Sequence, residues 1–507
     1  MYSKIATAIV CGLKSVPIWV EADVSDGMPV FEMVGFLASE VKEARERVRT
    51  ALHNCGYKIP AKRITINLSP ADVRKSGSGF DLPIAIAILA ALGEVEVKVL
   101  ENVLVLGEIS LSGKICPIHG VLPIVAKAKE TGIRRCIIPY GNQSEGEMIP
   151  GIEIWAAENL KEIVSYLKGR EYKRKQPLLD KTEDISLTEP DFSEINGQKA
   201  IKRACEVAVA GMHNFLMIGP PGSGKTMLAK RIPGILPPMT EKEQLEVSEI
   251  YSICGMLPRN GGLMKNRPFR RPHHTVSPNG LSGGGVLPRP GEISLAHKGV
   301  LFLDELPEYK KSTLEILRQP MEDKEIVLVR QSGTYRYPSD FMLVAAMNPC
   351  KCGYYPDRNR CSCKEADVAR YLGRVSKPLL DRIDICAEAP FMCYEELIQK
   401  EENESSAMIR ERVMAALERQ QHRFSGKSIS YNSQILSKDI NRYCKLSCTQ
   451  QKYMKEIYQK MELSARGYHK ILKTARTIAD LEGSDIIRDH HLNEAVCYRM
   501  QDKKYWE

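Results

Sequence analysis

Gly219-Pro220-Pro221-Gly222-Ser223-Gly224-Lys225-Thr226 has the spacing G-x-x-x-x-G-K-[ST], and it lies between an apolar run, Phe215-Leu216-Met217-Ile218, and the helical start Met227-Leu228-Ala229-Lys230. Glycines at those positions let successive backbone N–H groups converge on phosphate oxygens, and the following helix adds the positive end of its dipole. Lys225 is expected to reach the β and γ phosphates and Thr226 to bind Mg²⁺. The chemistry is nucleoside triphosphate binding, with ATP and Mg²⁺ as cofactors.

Val300-Leu301-Phe302-Leu303 ends in Asp304-Glu305, a buried strand delivering two carboxylates to the sheet edge where ligands bind in parallel α/β folds. Asp304 is expected to hold Mg²⁺ through water and Glu305 to polarise the attacking water. A second apolar run, Phe341 to Met347, ends in Asn348. An amide there suits a γ-phosphate sensor, the plainer reading being an asparagine that ends a strand. In Leu379-Leu380-Asp381-Arg382-Ile383-Asp384, Arg382 stands between acids. An arginine serving a neighbouring subunit's γ-phosphate would be a finger in trans and would imply a ring.

Cys350-Lys351-Cys352 and Cys361-Ser362-Cys363 follow Asn348 directly. Four clustered thiols in a reducing compartment suit tetrahedral Zn²⁺, although one intervening residue is tighter than common zinc-finger spacing and reduced structural thiols are the alternative. A metal there would fix the chain that leaves Asn348. Ile326 to Arg330 and Thr334 to Tyr337 flank Gln331-Ser332-Gly333 as a hairpin carrying Arg330 and Arg336. Its basic and aromatic residues fit a DNA contact, and an ordinary solvated turn fits as well. The segment between Lys225 and Asp304 is unusually long and holds Phe269-Arg270-Arg271-Pro272-His273-His274, and long loops in compact domains tend to be functional.

These residues need an α/β scaffold. The 507-residue chain is long enough for about three domains. Residues 1–166 read as an α/β domain without a phosphate loop, 167–190 as a linker, 191–390 as the ATPase core and 391–507 as a helical region. With 43% hydrophobic and 27% charged residues the composition is that of a globular protein. The apolar run Leu82 to Leu92 is far short of the roughly 20 residues that cross a bilayer and reads as a buried helix. The chain opens without the pattern of a secretory leader, so a cytoplasmic location with mostly reduced cysteines is expected. A net charge of +9 permits a polyanionic partner without demanding one.

Pro272-His273-His274-Thr275, Pro290 to His297, Leu303-Asp304-Glu305-Leu306-Pro307-Glu308 and Asn348-Pro349-Cys350 make the chain resemble the ComM/YifB family of magnesium chelatase-like AAA+ ATPases over nearly its whole length. The resemblance implies an α/β AAA+ core of the helix-insert type, shared with magnesium chelatase and MCM helicases, with a C-terminal helical lid. It implies that Arg382 is the arginine finger and Arg466 a sensor-2 arginine near the nucleotide. It also implies that Ile195, Gly197 and Gln198 pack the adenine. A cap at Ser464 and the apolar positions Tyr468, Ile471, Leu472, Ala475 and Ile478 place Arg466 in the first turn of a helix ending at Gly483.

Residues 1–166 resemble the Lon protease domain, especially across 64–142, with Gly107 to Gly113 close to that pattern. The position of the nucleophilic serine falls at or beside Asp81 and that of the lysine near Leu122, and neither residue can do the chemistry. Proteolysis is therefore not expected. The family resemblance implies a ring, expected to be a hexamer, that drives DNA branch migration in recombination or natural transformation, acting on branched or single-stranded DNA. The alternative is a chelatase-like ATPase that remodels a protein complex. No membrane partner is expected.

Overall fold

A computed structural model describes residues 1–174, 190–258, 262–285, 288–330, 333–391, 403–427 and 429–506. Most of the expected linker and the start of the expected C-terminal region lie outside the described residues.

The N-terminal part is built on a seven-stranded mixed sheet in the order Phe31–Val34, Arg63–Ser69, Lys14–Ser25, Tyr2–Cys11, Val103–Val105, Arg135–Pro139, Glu153–Ala157. Helix Asp81–Ala91 crosses its face with every residue buried, which explains why that stretch has no polar side.

The second sheet has five strands, all parallel, in the order Phe269–Arg270, Val300–Leu303, Met342–Met347, Phe215–Ile218, Ile385–Glu388. Its strands are continuously apolar because both faces are covered, as parallel sheets require. Phe215, Met217, Phe302 and Val344 pack on one face with helix Lys199–Gly211 and with helices Ser406–Arg423 and Ala465–Leu481. Leu216, Ile218, Leu303 and Ala345 face the other core. The C-terminal helices thus share a core with the ATPase sheet instead of forming a separate one.

Two features differ from the sequence reading. The helix after the phosphate loop is short, Lys225–Ala229, and a new turn begins at Ile232. The long segment before Asp304 is structured: helix Glu241–Ile253 starts at a Thr240–Glu243 capping box, and a small hairpin pairs Gly283–Gly284 with Arg289–Pro290. Among the described residues no helix is long and apolar enough to cross a membrane.

Candidate ATP site

Strand Met342–Met347 lies between the strand that leads into the phosphate loop and the strand that ends at Asp304. This order brings Lys225, Asn348 and Asp304 to one sheet edge. Lys225 Nζ donates to the carbonyls of Gly219 and Pro220 at 2.8 and 2.7 Å, to Ser223 Oγ at 3.2 Å and to Asn348 Oδ1 at 3.3 Å. Burial lowers its pKa to about 8, against the pull of Asp304. Gly222 and Gly224 adopt positive φ of 78° and 76°, the conformation that aims loop N–H groups inward. Pro220 and Pro221 stiffen the first half of the loop.

Thr226 Oγ1 donates to Asp304 Oδ2 at 2.8 Å. A hydroxyl and a carboxylate oxygen in contact make a hard donor set of the kind Mg²⁺ takes, so Thr226 and Asp304 fit its expected ligands. When bound, the metal would supply positive charge to offset that of the phosphates. Glu305 takes φ +53°, an unusual backbone for a non-glycine residue, and its N–H donates to Asp304 Oδ1 at 3.1 Å.

Two residues of this edge were not assigned from sequence. Arg271 Nη2 contacts Asp304 Oδ2 at 2.7 Å, and His274 Nδ1 stands 3.5 Å from Glu305 Oε2. Arg271 follows the two-residue edge strand Phe269–Arg270, whose register beside Val300 and Leu301 carries it to the acids. The long-segment argument marked the region but could not select these side chains.

On the other side of the loop, Gln198 Nε2 donates to the Ser223 carbonyl at 2.6 Å. Ile195 is buried, and Gly197 has φ +59°. The segment expected to hold the adenine therefore touches the phosphate loop.

The arginines lie elsewhere. Asn214, just before strand Phe215–Ile218, donates to the Arg382 carbonyl at 3.0 Å and accepts from Leu343 N at 3.0 Å. Arg382 is thus tied to the N-terminal edge of the sheet, and the five residue steps from Asn214 to Gly219 put about 16 Å between that backbone anchor and the phosphate loop. Its guanidinium donates to Pro378 O at 2.6 Å and pairs with Glu322 Oε1 at 2.7 Å. Arg466, in the first turn of the helix capped by Ser464, pairs with the same Oε1 at 3.1 Å. The pocket that Arg466 shares with Arg382 is lined by no phosphate-loop residue, so Arg466 lies at the end of the sheet away from the phosphate loop of its own chain. Lys470, one turn on, anchors that helix by donating to Ile383 O at 2.9 Å.

The four cysteine sulfurs Cys350, Cys352, Cys361 and Cys363 lie within 4.8 Å of one another. Cys350 Sγ is 3.3 Å from Cys352 and 3.7 Å from Cys361, close to the ~3.8 Å edge of a tetrahedron of thiolates around Zn²⁺. This loop also touches the phosphate loop: at Gly353, φ +89°, a Cβ would stand 2.2 Å from Pro221 Cδ.

In the hairpin Glu325–Arg330 with Gly333–Pro338, Arg336 is paired with Glu325, whereas Arg330 is exposed and has no acidic partner among the described residues. In the N-terminal part, Asp81 is buried and held by Arg47 at 2.8 and 2.9 Å, and Leu122 is buried. The hydroxyl of Ser78 donates to Glu108, and the Lys75 ammonium donates to the Pro70 carbonyl.

A parallel sheet with a phosphate loop, an acidic pair on the third strand and a polar sensor on the strand between defines an AAA+-type P-loop ATPase. The family described as magnesium chelatase subunit ChlI matches residues 191–397, its C-terminal part matches 403–499, and a third ChlI description matches 20–142. The competence protein ComM of Haemophilus influenzae is 42% identical over 96% of this chain and 95% of its own length. YifB of Escherichia coli is 42% identical over 99% and 97%. The chain belongs to the ComM/YifB family of magnesium chelatase-like ATPases. Lon protease 2 of Bacillus subtilis is 35% identical over 127 residues, 25% of this chain and 22% of that protein.

Proposed function

We propose that the protein is an ATP-driven DNA motor that works as a ring and migrates branch points during recombination of incoming strands. The observation that carries this reading is the division of the catalytic groups. Lys225, Thr226, Asp304, Glu305 and Asn348 gather at one edge of the sheet, while Arg382 and Arg466 sit together at the other. Groups at the end of the sheet opposite their own phosphate loop suit a neighbour's triphosphate, so each site needs two chains, and a closed ring, expected to be a hexamer, supplies them all. The two hairpins supplement a plain five-stranded sheet in the helix-insert manner, and the C-terminal helices act as the lid.

In this reading ATP and Mg²⁺ are the cofactors and Zn²⁺ occupies the four cysteines. Single-stranded or branched DNA meets the exposed Arg330, with Arg336 contributing once freed from Glu325. The name of the Haemophilus relative, a competence protein, supports a role in natural transformation. Proteolysis forms no part of the reading, because Asp81 and Leu122 supply neither nucleophile nor base.

The test is ATP turnover without DNA and with single strands, duplex or a branched junction, using Glu305→Gln as the blank. Stimulation largest with the junction is expected. Turnover indifferent to every DNA would overturn the motor reading in favour of an ATPase that remodels a protein complex.

A further inference from the structure

The cleft of the Lon-like domain is not open to solvent on all sides: the ATPase part roofs it. Helix Val121–Glu130 begins at Gly120, whose N–H donates to Ser252 O at 3.1 Å, and His119 packs against Gly255. Glu145 fastens the same seam. It accepts from Leu122 N at 2.9 Å, from Asn142 Nδ2 at 2.8 Å and from the Ser252 hydroxyl. Gly12, in the turn between the first two strands, lies against the Arg336 backbone, where a Cβ would meet the carbonyl at 3.2 Å. Between these contacts is a cavity of about 360 Å³, with the Arg74 to Phe80 loop as one wall and Arg289 and Tyr335, one from each of the two hairpins, as another.

The charges in this cavity are unbalanced. Arg74 and Arg289 make no ion pair within 4 Å and no side-chain hydrogen bond among the described residues, Arg74 acting on Glu40 only through its field, and Arg289 is exposed. Glu108 is the one acid lining the cavity among the described residues, and the Ser78 hydroxyl bonds it. Tyr335 adds an aromatic face, and Ile9 and Val10 an apolar floor. Arg330 pairs with Gly333 near the hairpin tip, so Tyr335 lies about 7 Å along the strand from that cation. The hairpins are braced together by the Tyr337 hydroxyl, which donates to Pro288 O at 2.5 Å.

We infer that this seam is a single-stranded DNA site that receives a strand from the hairpin surface, Arg74 and Arg289 holding phosphates and Tyr335 stacking a base. The inference rests on the DNA-motor reading and adds a path for the strand. Unpaired guanidiniums around an aromatic face are the elements that bind single strands without sequence preference. The volume suits a nucleotide-sized group, within the usual range of ligand clefts. The wall opposite Arg74 carries a cation from the ATPase part itself, Arg289.

The test is binding of labelled oligothymidylate to the full chain, by anisotropy across a salt series, for wild type, Arg74→Gln, Arg289→Gln and the double variant. Each lost phosphate contact should reduce the slope of log affinity against log salt by about 0.7, and the double variant by about 1.4. Tyr335→Leu should weaken binding about tenfold with the slope unchanged, since a lost stacking face removes affinity without removing a charge. Wild-type affinity and slope in the double variant, with binding weakened in Arg330→Ala, would overturn the seam site and leave the motor reading standing. Wild-type protein that binds no strand would overturn both. Phenylglyoxal footprinting gives a second readout: oligothymidylate should shield Arg74 and Arg289, and shielding by unfolded casein alone would overturn the proposal in favour of a polypeptide ligand.

Discussion

Arg382 and Arg466 hold the same carboxylate oxygen, Glu322 Oε1, at 2.7 and 3.1 Å. The two come from distant parts of the chain, and a shared counter-ion makes them one unit at the sheet edge opposite the phosphate loop. Arg382 is the more fixed, with 11% of its side chain exposed against 60% for Arg466. Arg466 is therefore free to move toward an incoming anion while Arg382 is already placed.

Arg382→Ala should slow hydrolysis by about 10³-fold or more, the usual effect of removing a finger, with nucleotide affinity largely kept. Arg466→Ala should lie in the same class, and the double variant should cost less than the product of the two, because the residues act at one site. Mixing Arg382→Ala with Lys225→Ala chains tests the geometry. Partial recovery of turnover is expected in mixed rings, and none would mean that Arg382 acts within its own chain.

Glu305→Gln should bind ATP and hold it, with hydrolysis reduced by at least about 10²-fold. Lys225→Ala should lose binding or turnover outright. Filter retention of labelled ATP separates the two, and wild-type hydrolysis in either variant would remove that residue from the site.

Because burial holds Lys225 near a pKa of about 8, the side chain is charged below that pH and neutral above it. A triphosphate favours the charged form, so binding must take up a proton as pH rises past about 8. ATP affinity should be flat below that point and fall by up to about tenfold per pH unit above it. Titration calorimetry from neutral pH to about 10 reads this directly. An affinity independent of pH across that range would show that the lysine keeps its proton without nucleotide.

Gly353→Ala should push the cysteine loop against Pro221, since the backbone there has φ +89° and a Cβ would stand 2.2 Å from the proline ring. A loss of about 1–3 kcal/mol in stability is expected, together with weaker ATP binding. Thermal melts and nucleotide titrations with Gly353→Ala measure both, and unchanged ATP affinity would show that the loop does not brace the phosphate site.

Purified protein should carry one zinc per chain, and chelation or Cys361→Ser should lower both melting temperature and ATP affinity through the same contact. Elemental analysis of protein from zinc-supplemented cells, with a count of free thiols, decides it. Four reactive thiols and no metal would assign the cysteines to packing alone.

The phosphate loop and the acids Asp304 and Glu305 were legible in sequence because each follows a four-residue apolar strand, and burial on both faces writes that strand as an unbroken run. Asn348 follows a six-residue strand of the same kind. Arg271 and His274 were not legible as site residues. The strand before them is two residues long, too short for any periodicity, and only its register with Val300 and Leu301 places them. The sheet end that Arg466 meets was not legible for a related reason: capping and the apolar face fixed its helix, but where that helix docks depends on Asp384 and Glu322, both distant in sequence. The roofed cleft was illegible altogether, since a seam between two sheets leaves no local pattern in either.

Asn214 bonds Arg382 and Leu343 at one end of strands whose other ends carry Lys225 and Asn348. A hydrogen-bonded parallel strand is stiff along its length, so a shift at the phosphate end moves the arginine end with it. In the ring proposed above, each chain would then work as a lever with one arm in its own nucleotide site and one in the next.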